Sequence, residues 1–487
     1  MNFANYLLNS SQNKPQTLLF SRAEQISHHD VCINVNRLAS SIIGKIGTKK
    51  NVFLLADNNQ FFVISYLAIM RSGNVVVPID TKAPEKDLAY YADICDFAMA
   101  FVQEKYAAKM RSLMPNLESV TDKTYLFLPG GASSLPETSD EELAAIIFTS
   151  GSTGKKKGVV LSHGNFIANT ASILEYLELK ATDRVCVVLP FYYCYGLSLL
   201  HTHIKAGGSV VLSSHPFIGG ALRDIDEFKC TGFAGVPSTF QILIANTKFL
   251  TEKLPTLRYI TQAGGKLPNK FIKMIAESFP GKKFFVMYGA TEATARMSYL
   301  PAELCLNKLG SIGKGIPGVK LKVVAEGRDV QSGEVGEIIA SGKNIMHGYY
   351  KDPQGTNEVL IDGWYHTGDL GTVDEDGFIY VVGRSKNIIK CGGFRVSPFE
   401  IEEEIYKLPE VEDVVVIGKE DNILGEAVIA FIRSSTSDPT ALQKTIQELC
   451  RRVFPSHKIP REVHILKELP LNSSNKVDRE KLKHMVD

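Results

Sequence analysis

Short apolar runs rich in β-branched residues alternate with segments that can be helical between Asn51 and about Met287. The runs are NVVVPID, AAIIFTSG, RVCVVLP, SVVLSS, GFAGVP and FFVMYGA. This alternation predicts parallel β-strands layered with helices. Several runs end in glycine or proline, and the carboxyl edge of such a sheet is where ligand loops usually lie.

The pattern changes between Gly313 and Gly383. Closely spaced strands are predicted there, with turns at SGE in AEGRDVQSGEVGEIIASG and at DEDG in TVDEDGFIYVVGR. We therefore expect a small β-rich subdomain in this part of the chain.

The chain changes again after Arg384. SPFEIEEEIYKL and PTALQKTIQELCRRVF have the pattern of helices, whereas EDVVVIG and EAVIAFIRS favour strands. The predicted fold class is α/β, from the alternation of strands and helices. A chain of 487 residues exceeds the usual size of one domain, so at least two are expected. We predict a large N-terminal domain over 1–385, with layered α/β subdomains plus the β-rich subdomain, and an α+β C-terminal domain over 386–487.

Composition and charge argue against some classes of partner. Lys and Arg total 54 against 53 Asp and Glu, so the net charge of +1 provides no field that would attract a nucleic acid. The longest uncharged hydrophobic stretch, Val185 to Leu200, is too short to span a bilayer. No signal peptide is recognisable, and the eight cysteines are scattered without a CxxC pair. We expect a cytoplasmic protein with reduced thiols and no membrane span.

The stretch FTSGSTGKKKG, from Phe148 to Gly158, has the composition of an anion-binding loop. Backbone N–H groups in a Gly/Ser/Thr loop after a buried strand can turn inward together, since glycine tolerates the required φ angles. The spacing is not GxxxxGK[ST], so it does not fit the P-loop of kinases and ATPases. For this stretch alone, a surface loop with solvated lysines is the alternative.

The longer segment FTSGSTGKKKGV resembles the phosphate loop of the adenylate-forming superfamily of AMP-dependent synthetases and ligases, which includes acyl- and aryl-CoA synthetases. Four further segments resemble motifs of that family in the same order: YGATEA at 288–293, GWYHTGDLG at 363–371, GRSKNIIKCGGFRVSP at 383–398 and PLNSSNKVDR at 470–479. The resemblance implies ATP and Mg²⁺ as cofactors, an acyl-adenylate intermediate and a mobile C-terminal lid domain.

The resemblance assigns the phosphate loop to the β- and γ-phosphates of ATP. The residues concerned are Thr149, Ser150, Gly151, Ser152, Thr153, Gly154 and Lys157. The chain departs from the family at Lys156, where proline is common. The adenine-side loop would be Gly264, Gly265 and Lys266, in which small residues allow close approach to the base.

In YGATEA, the resemblance implies that Tyr288 stacks on adenine and that Thr291 lies near the α-phosphate. Glu292 would be a carboxylate ligand of Mg²⁺, and Gly289 would contact both the nucleotide and the acid. Ordinary core packing is the alternative for Tyr288, and a solvated helix start is the alternative for Glu292. Thr291 and Glu292 are also expected to act in catalysis.

The resemblance places the ribose between Asp369 and Arg384, because a carboxylate can accept hydrogen bonds from both ribose hydroxyls. A turn position is the alternative for Asp369. Lys386 would be the hinge between the two domains. His163 and His366 are assigned no role.

Both ends of the C-terminal domain would serve the same active site in turn. Lys476 is the expected catalytic lysine of adenylation, with Asn475 where glycine is more usual. Lys390 would replace it during thioester formation, and Gly392 and Gly393 would line the thiol tunnel. Arg395 would approach phosphate, and a solvated strand edge is the alternative for Lys390 and Arg395.

The acid pocket is expected to be lined by Tyr192, Tyr193, Tyr195 and Gly289. Amino-acid-activating relatives carry an aspartate in the PFYYCYGLS region, but residues 190–200 contain no acidic side chain. A free α-amino acid is therefore disfavoured. A small carboxylic acid with an apolar or aromatic body suits these side chains.

The acyl acceptor would be the thiol of CoA or of the phosphopantetheine of a carrier protein, and the sequence leaves both open. Arg451, Arg452, Lys458 and Arg461 lie close together in sequence and could meet either the 3′-phosphate of CoA or an acidic carrier helix. A solvated helix end is an equally good interpretation. A luciferase-like oxygenase and a catalytically idle nucleotide-binding regulator are the alternatives to a ligase.

Overall fold

A computed structural model gives the fold over residues 1–9, 11–130, 134–150, 156–471 and 477–486. The helices are α1 Phe3–Leu8, α2 His28–Ile46, α3 Gln60–Arg71, α4 Glu85–Cys95, α5 Glu104–Leu113, α6 His163–Leu177, α7 Cys194–Ala206, α8 Gly220–Glu227, α9 Pro237–Asn246, α10 Asn269–Ser278, α11 Pro353–Asn357, α12 Pro398–Ile405, α13 Pro439–Val453 and α14 Arg479–Lys483.

The strands lie between and after these helices. They are β1 Thr17–Phe20, β2 Gln25–Ser27, β3 Asn51–Leu55, β4 Val75–Pro78, β5 Phe97–Val102, β6 Ser119–Thr121, β7 Leu143–Ser150, β8 Lys156–Ser162, β9 Arg184–Val187, β10 Ser209–Leu212, β11 Gly232–Gly235, β12 Tyr259–Gln262, β13 Lys283–Tyr288, β14 Ser298–Leu300, β15 Ser311–Gly315, β16 Val319–Ala325, β17 Arg328–Asp329, β18 Gly336–Gly342, β19 Gly348–Tyr349, β20 Leu360–Ile361, β21 Trp364–Val373, β22 Ile379–Arg384, β23 Ile389–Cys391, β24 Phe394–Val396, β25 Asp413–Asp421, β26 Gly425–Arg433 and β27 Glu462–Leu466.

The first sheet combines the parallel core with the β-rich region. Its strand order is β17-β16-β18-β21-β22-β15-β14-β13-β12-β11-β9-β10-β1-β2, and β20 pairs with β21. The pairs that run from β1 through β10, β9, β11 and β12 to β13 are parallel, as predicted. From β14 onward the pairs are antiparallel, so the predicted β-rich region extends this sheet instead of forming a separate one.

The second sheet carries the phosphate-loop motif. Its order is β19-β8-β7-β4-β3-β5-β6. Strands β7 and β8 form an antiparallel pair, so the loop between them joins two strands instead of a strand and a helix. The loop residues themselves lie outside the described residues.

A helical layer separates the two sheets. Helix α3 packs on β3 and β4 of the second sheet, α7 packs on β9 and β10 of the first, and α1 contacts both helices. Phe3, Tyr66 and Phe166 are fully buried in this layer, which confirms the predicted layered architecture. Among the described residues, no helix has the length and hydropathy needed to cross a bilayer.

The third sheet lies in the C-terminal part, with the order β24-β23-β26-β25 and β27 beside β26. The predicted helices and strands of this part are confirmed as α12, α13, β25 and β26. Helix α12 and the turn after it contact the larger part of the chain: Lys266 Nζ lies 3.5 Å from Glu403 Oε1, and Lys270 Nζ donates to the carbonyl of Val411 at 3.1 Å. The domain boundary near Lys386 and the mobility of this part remain predictions.

Candidate active site

The carboxylate of Asp369 is the centre of the first residue cluster. Its partner in the β21–β22 register is Arg384, whose Nε lies 2.8 Å from Asp369 Oδ1. The hydroxyl of Tyr288, at the end of β13, donates to Asp369 Oδ2 at 2.6 Å. Residues from three of the resembling motifs therefore meet at one buried carboxylate.

The electrostatics of this cluster follow from the shared negative charge. The charge of Asp369 raises the pKa of Arg384. Burial, together with that charge, raises the pKa of Tyr288 well above its ordinary value, so its hydroxyl remains a donor at neutral pH. The site thus holds a carboxylate in a fixed position, and a carboxylate can accept hydrogen bonds from two ribose hydroxyls.

A second cluster connects Glu292 with the phosphate strand through Tyr349. The Tyr349 hydroxyl donates to Glu292 Oε1 at 2.9 Å, and Lys157 Nζ lies 4.4 Å from the centre of the Tyr349 ring. Burial and then the charge of Glu292 raise the pKa of Tyr349. No motif named in the sequence analysis contains Tyr349. Its contact with Glu292 spans 57 positions of the chain, so no local pattern indicates it.

The half-buried Glu292 carboxylate fits a Mg²⁺ site of the nucleotide type. Among the described residues, no group of three or more His, Cys, Asp or Glu side chains could hold a metal by itself. Mg²⁺ is commonly bound by one or two carboxylates together with substrate phosphates, and Glu292 supplies a carboxylate beside the phosphate strand.

The structure separates the two lysines of β8. Lys157 lies 3.9 Å from Asp352 Oδ2 and beside Tyr349, on the side of Glu292. Lys156 lies 3.7 Å from Asp87 Oδ2 on helix α4, because successive side chains of a strand point to opposite faces. Lys157 is therefore the better phosphate candidate, and the departure at Lys156 falls on the opposite face. Thr149 lies opposite Lys157 and Ser150 opposite Lys156 in the register; Gly151, Ser152, Thr153 and Gly154 lie outside the described residues.

The tyrosines predicted for the acid pocket differ in their surroundings. Tyr195 is buried in α7 and donates from Oη to the carbonyl of Thr261 at 3.0 Å. Tyr193 is half-buried against the main core. The pKa of Tyr192 is raised by burial and by the charge of Asp80, so this side chain faces a carboxylate beyond β4.

Two close contacts fix the turn that follows β13. A Cβ atom on Gly289 would lie 1.8 Å from the carbonyl oxygen of Ala295, so only glycine fits this position. Thr291 Oγ1 lies 3.5 Å from Cys194 Sγ, at the start of α7. The turn that carries Thr291 therefore contacts the segment that carries the tyrosines predicted for the acid pocket.

The adenine-side loop has the expected backbone but a different lysine contact. Gly264 has a φ of +88°, a left-handed conformation that favours glycine. Lys266 reaches Glu403 and lies over the ring of Phe399, so it faces helix α12 in this structure.

The residues expected in thioester formation lie on the β23–β24 hairpin. Lys390 and Arg395 are paired in its register, and Gly392 and Gly393 form its turn with φ values of +58° and +83°. All four are exposed, and among the described residues none of them shares a hydrogen bond or ion pair with the Asp369 cluster. Lys386 lies in the short turn Ser385–Asn387, and Lys476 lies outside the described residues.

Comparisons with known proteins identify the family. Residues 8–350 match the family described as AMP-binding enzyme, and residues 400–476 match the AMP-binding enzyme C-terminal domain. The chain belongs to the AMP-binding enzyme family. The prediction of an AMP-forming, ATP-dependent acid:thiol ligase of the adenylate-forming superfamily is thereby confirmed.

Individual relatives of this AMP-binding enzyme align over nearly their whole length. Indoleacetate–CoA ligase of Aromatoleum aromaticum is 29% identical over 93% of this chain and 91% of its own. A 2-succinylbenzoate–CoA ligase of Bacillus cereus is 30% identical over 91% of this chain and 90% of its own. The structure of o-succinylbenzoate CoA synthetase from Bacillus subtilis with its acyl-adenylate superposes with a TM-score of 0.89 at 25% identity, covering 98% of each chain.

Proposed function

We propose that this ligase joins a small carboxylic acid with an apolar or aromatic body to CoA. The observation that carries the proposal is the convergence of Tyr288, Asp369 and Arg384, from three separate motifs, on one carboxylate. The acids named for the two curated relatives are aromatic. Tyr195 and the absence of any acidic residue over 190–200 agree with such an acid.

In the proposed first step, a carboxylate oxygen of the acid attacks the α-phosphorus of ATP. The bond to the bridging oxygen breaks and pyrophosphate leaves, which gives the acyl-adenylate. Asp369 and Arg384 hold the ribose, and Lys157 neutralises phosphate charge, so that the reacting atoms are positioned before reaction. Mg²⁺, bound at Glu292, would supply further neutralisation of the phosphates. Lys476 is proposed to contact both the carboxylate and the α-phosphate.

In the proposed second step, the thiol sulfur attacks the acyl carbon, the thiol proton passes to solvent and AMP leaves. Lys390, Gly392, Gly393 and Arg395 are proposed to reach the site at this stage. Because these residues are exposed in the present arrangement, the proposal includes a rotation about Lys386.

CoA is the proposed acceptor, and a carrier-protein phosphopantetheine is the alternative. Of the basic residues considered for this contact, Lys458 pairs with Glu400 at 2.8 Å and Arg461 pairs with Asp421. Arg451 and Arg452 are exposed at the end of α13. Those two arginines are therefore the stronger candidates for contact with the 3′-phosphate. A cytoplasmic location is also proposed, since all eight cysteines are free and buried.

The test is a panel of aliphatic and aromatic carboxylic acids, assayed for acid-dependent release of pyrophosphate from ATP. Each acid is supplied with CoA, with a phosphopantetheinylated carrier protein or with neither, and thioesters are identified by mass. We expect thioester formation with CoA. Pyrophosphate release with a thioester on the carrier alone would favour the alternative acceptor. No release from folded protein would favour the idle regulator, and oxygen uptake or light would favour the oxygenase.

A further inference from the structure

Arg296 is a buried arginine that the proposed mechanism does not use. It exposes 3% of its surface and lies just beyond YGATEA, before β14. Its backbone carbonyl accepts from the side-chain amides of Asn169 at 3.0 Å and Asn344 at 2.9 Å. The next residue, Met297, donates its N–H to the carbonyl of Tyr288 at 2.9 Å. The backbone of Arg296 is therefore fixed next to the nucleotide motif.

The surroundings of the Arg296 guanidinium are neutral. Its Cζ lies 4.0 Å from the centre of the Tyr195 ring, Nε donates to Met287 Sδ at 3.3 Å, and Nη1 donates to the carbonyl of Ala295 at 3.5 Å. The Tyr176 hydroxyl donates to the same sulfur at 3.0 Å, and burial raises the pKa of Tyr176, so it is neutral as well. Among the described residues, no carboxylate lies within 4.0 Å of the guanidinium nitrogens.

A buried guanidinium in such surroundings is costly. Arginine has five N–H donors and does not lose its proton, whereas its two acceptors here are a weak thioether, that of Met287, and the neutral carbonyl of Ala295 at 3.5 Å. Stacking on Tyr195 offsets part of the desolvation, but less than the burial of an unpaired ion costs. The missing partner is an anion, and a planar carboxylate matches the geometry of the guanidinium.

The guanidinium contacts a residue that is predicted to line the acid pocket. Tyr195, on which it stacks, is one of the predicted pocket residues. Ala295, its chain neighbour, is the residue whose carbonyl closes on Gly289. Tyr195, Met287 and Tyr176 make the surroundings of the guanidinium apolar and aromatic.

We propose that Arg296 binds a second carboxylate at the far end of the acid, so that the substrate is a dicarboxylic acid with an apolar or aromatic middle. This inference rests on the proposed function and specifies its substrate class. One carboxylate is activated at the α-phosphate, and the other pairs with Arg296 and remains unreacted.

The test compares acids that differ in the terminal group alone. The pairs are octanoate with suberate and 4-methylphenylacetate with 4-carboxyphenylacetate, and kcat/KM for pyrophosphate release is measured for each. We take the pair whose members give the higher kcat/KM. Within that pair we expect kcat/KM for the diacid to exceed that for the monoacid by on the order of 10²-fold, the scale of pairing a buried charge. Equal use of the two members, or a preference for the monoacid in both pairs, would overturn the proposal.

Variants separate recognition from a structural role. Arg296→Met is expected to abolish the preference for the diacid and to improve use of the monoacid, while Arg296→Lys retains part of the preference. The matched control is Arg184→Met. Arg184 also stacks on an aromatic ring, that of Phe20 at 4.2 Å, but it lies at the N-terminal end of β9, whereas the segment with Tyr195 follows the C-terminal end of that strand. Retention of the diacid preference in Arg296→Met would overturn the proposal.

Binding of stable acyl-adenylate analogues gives a readout without turnover. We would compare 5′-O-(N-acylsulfamoyl)adenosines whose acyl chains end in a methyl or in a carboxylate group, by calorimetry. Tighter binding of the carboxylate form to the wild-type chain, lost in Arg296→Met, supports the proposal. Equal binding, together with conversion of monoacids to CoA thioesters, overturns this inference and leaves the proposed function intact. Binding of neither analogue, without pyrophosphate release from any acid, overturns both.

Discussion

The Asp369 carboxylate accepts from Tyr288 on one oxygen and pairs with Arg384 on the other, so protein contacts alone fix its position. Preorganisation of this kind lets a binding site avoid the cost of ordering a side chain when the ligand arrives. The same arrangement makes the charge of Asp369 necessary, because a neutral amide cannot replace the ion pair with Arg384.

Asp369→Asn is expected to raise the KM for ATP and to slow adenylate formation by about 10- to 100-fold, the scale of losing hydrogen bonds to a charged group. The measurement is acid-dependent pyrophosphate release at several ATP concentrations. The control is Asp374→Asn. It removes the carboxylate that pairs with Lys308, directly after the C-terminal end of β21. Equal effects of the two substitutions would contradict the role in ribose binding.

Glu292→Gln is expected to raise the Mg²⁺ concentration needed for half-maximal activity, since an amide is a poorer ligand for a hard cation than a carboxylate. Tyr349→Phe removes the hydrogen bond to Glu292 and should have a smaller effect in the same direction. The adjacent Tyr350, whose hydroxyl accepts from Asn51, provides the control Tyr350→Phe. Normal activity of Glu292→Gln at low Mg²⁺ would contradict the metal assignment.

At the scale of elements, the turn after β13 and helix α7 position the site. The turn requires glycine at 289, and the helix carries the buried side chains of His201 and His203. Most residues of helix α7 are buried, as are Ala293 and Ala295 of the turn. Their effects should therefore be visible in stability as well as in turnover.

Gly289→Ala is expected to lower both the melting temperature and the activity, because the added methyl group would overlap the Ala295 carbonyl. Overpacking of this type costs typically about 1–3 kcal/mol. Gly44→Ala is the control, since nothing lies within 4 Å of a Cβ at that position in helix α2. We expect that substitution to stabilise the chain slightly. A Gly289→Ala protein with unchanged melting and turnover would refute the close contact.

Burial lowers the pKa of three histidines of the helical layer: His163 to about 4, His201 to about 3 and His203 to about 4. The unfolded chain therefore binds more protons than the folded chain below the ordinary value of 6.5. Stability should fall as the pH falls from 6.5 toward 4, measured as the urea midpoint. His201→Gln should flatten this dependence, and the exposed His29→Gln should not. A dependence that is unchanged in His201→Gln would contradict the assignment.

The elements themselves could be predicted from sequence, because each depends on local periodicity. The runs SVVLSS and FFVMYGA became β10 and β13, and PTALQKTIQELCRRVF became α13. The contacts between elements could not be predicted in the same way. The pair Tyr349 and Glu292 lies far apart in sequence and depends on the antiparallel placement of β19 beside β8, which no local pattern specifies.

At the scale of the whole molecule, the proposed mechanism assigns two sets of catalytic residues to the site, one in each arrangement of the C-terminal part. The β23–β24 hairpin is exposed in the present structure. The C-terminal part is held by contacts such as that of Gln241 Nε2, which donates to Tyr406 Oη at 3.4 Å. In the proposed rotation these contacts would break and re-form.

Lys476→Ala is expected to slow adenylation by on the order of 10² or more, the scale of losing one preorganised charge contact. Thioester formation from a presynthesised acyl-adenylate should stay nearly normal. Lys386→Pro, which fixes φ at the proposed hinge, should impair thioester formation and spare adenylation. Both half-reactions are measured by rapid quench on both variants. Equal losses in the two half-reactions for each variant would exclude alternation of the two arrangements.

The contact of Lys266 with Glu403 has a thermodynamic consequence. Lys266 belongs to the proposed adenine-side loop, whereas Glu403 belongs to helix α12, and their side chains lie 3.5 Å apart. A nucleotide that attracts Lys266 competes with this ion pair, and a displacement of α12 releases the lysine. Nucleotide affinity and the position of the C-terminal part are then linked functions, and the factor by which each changes the other is the same in both directions.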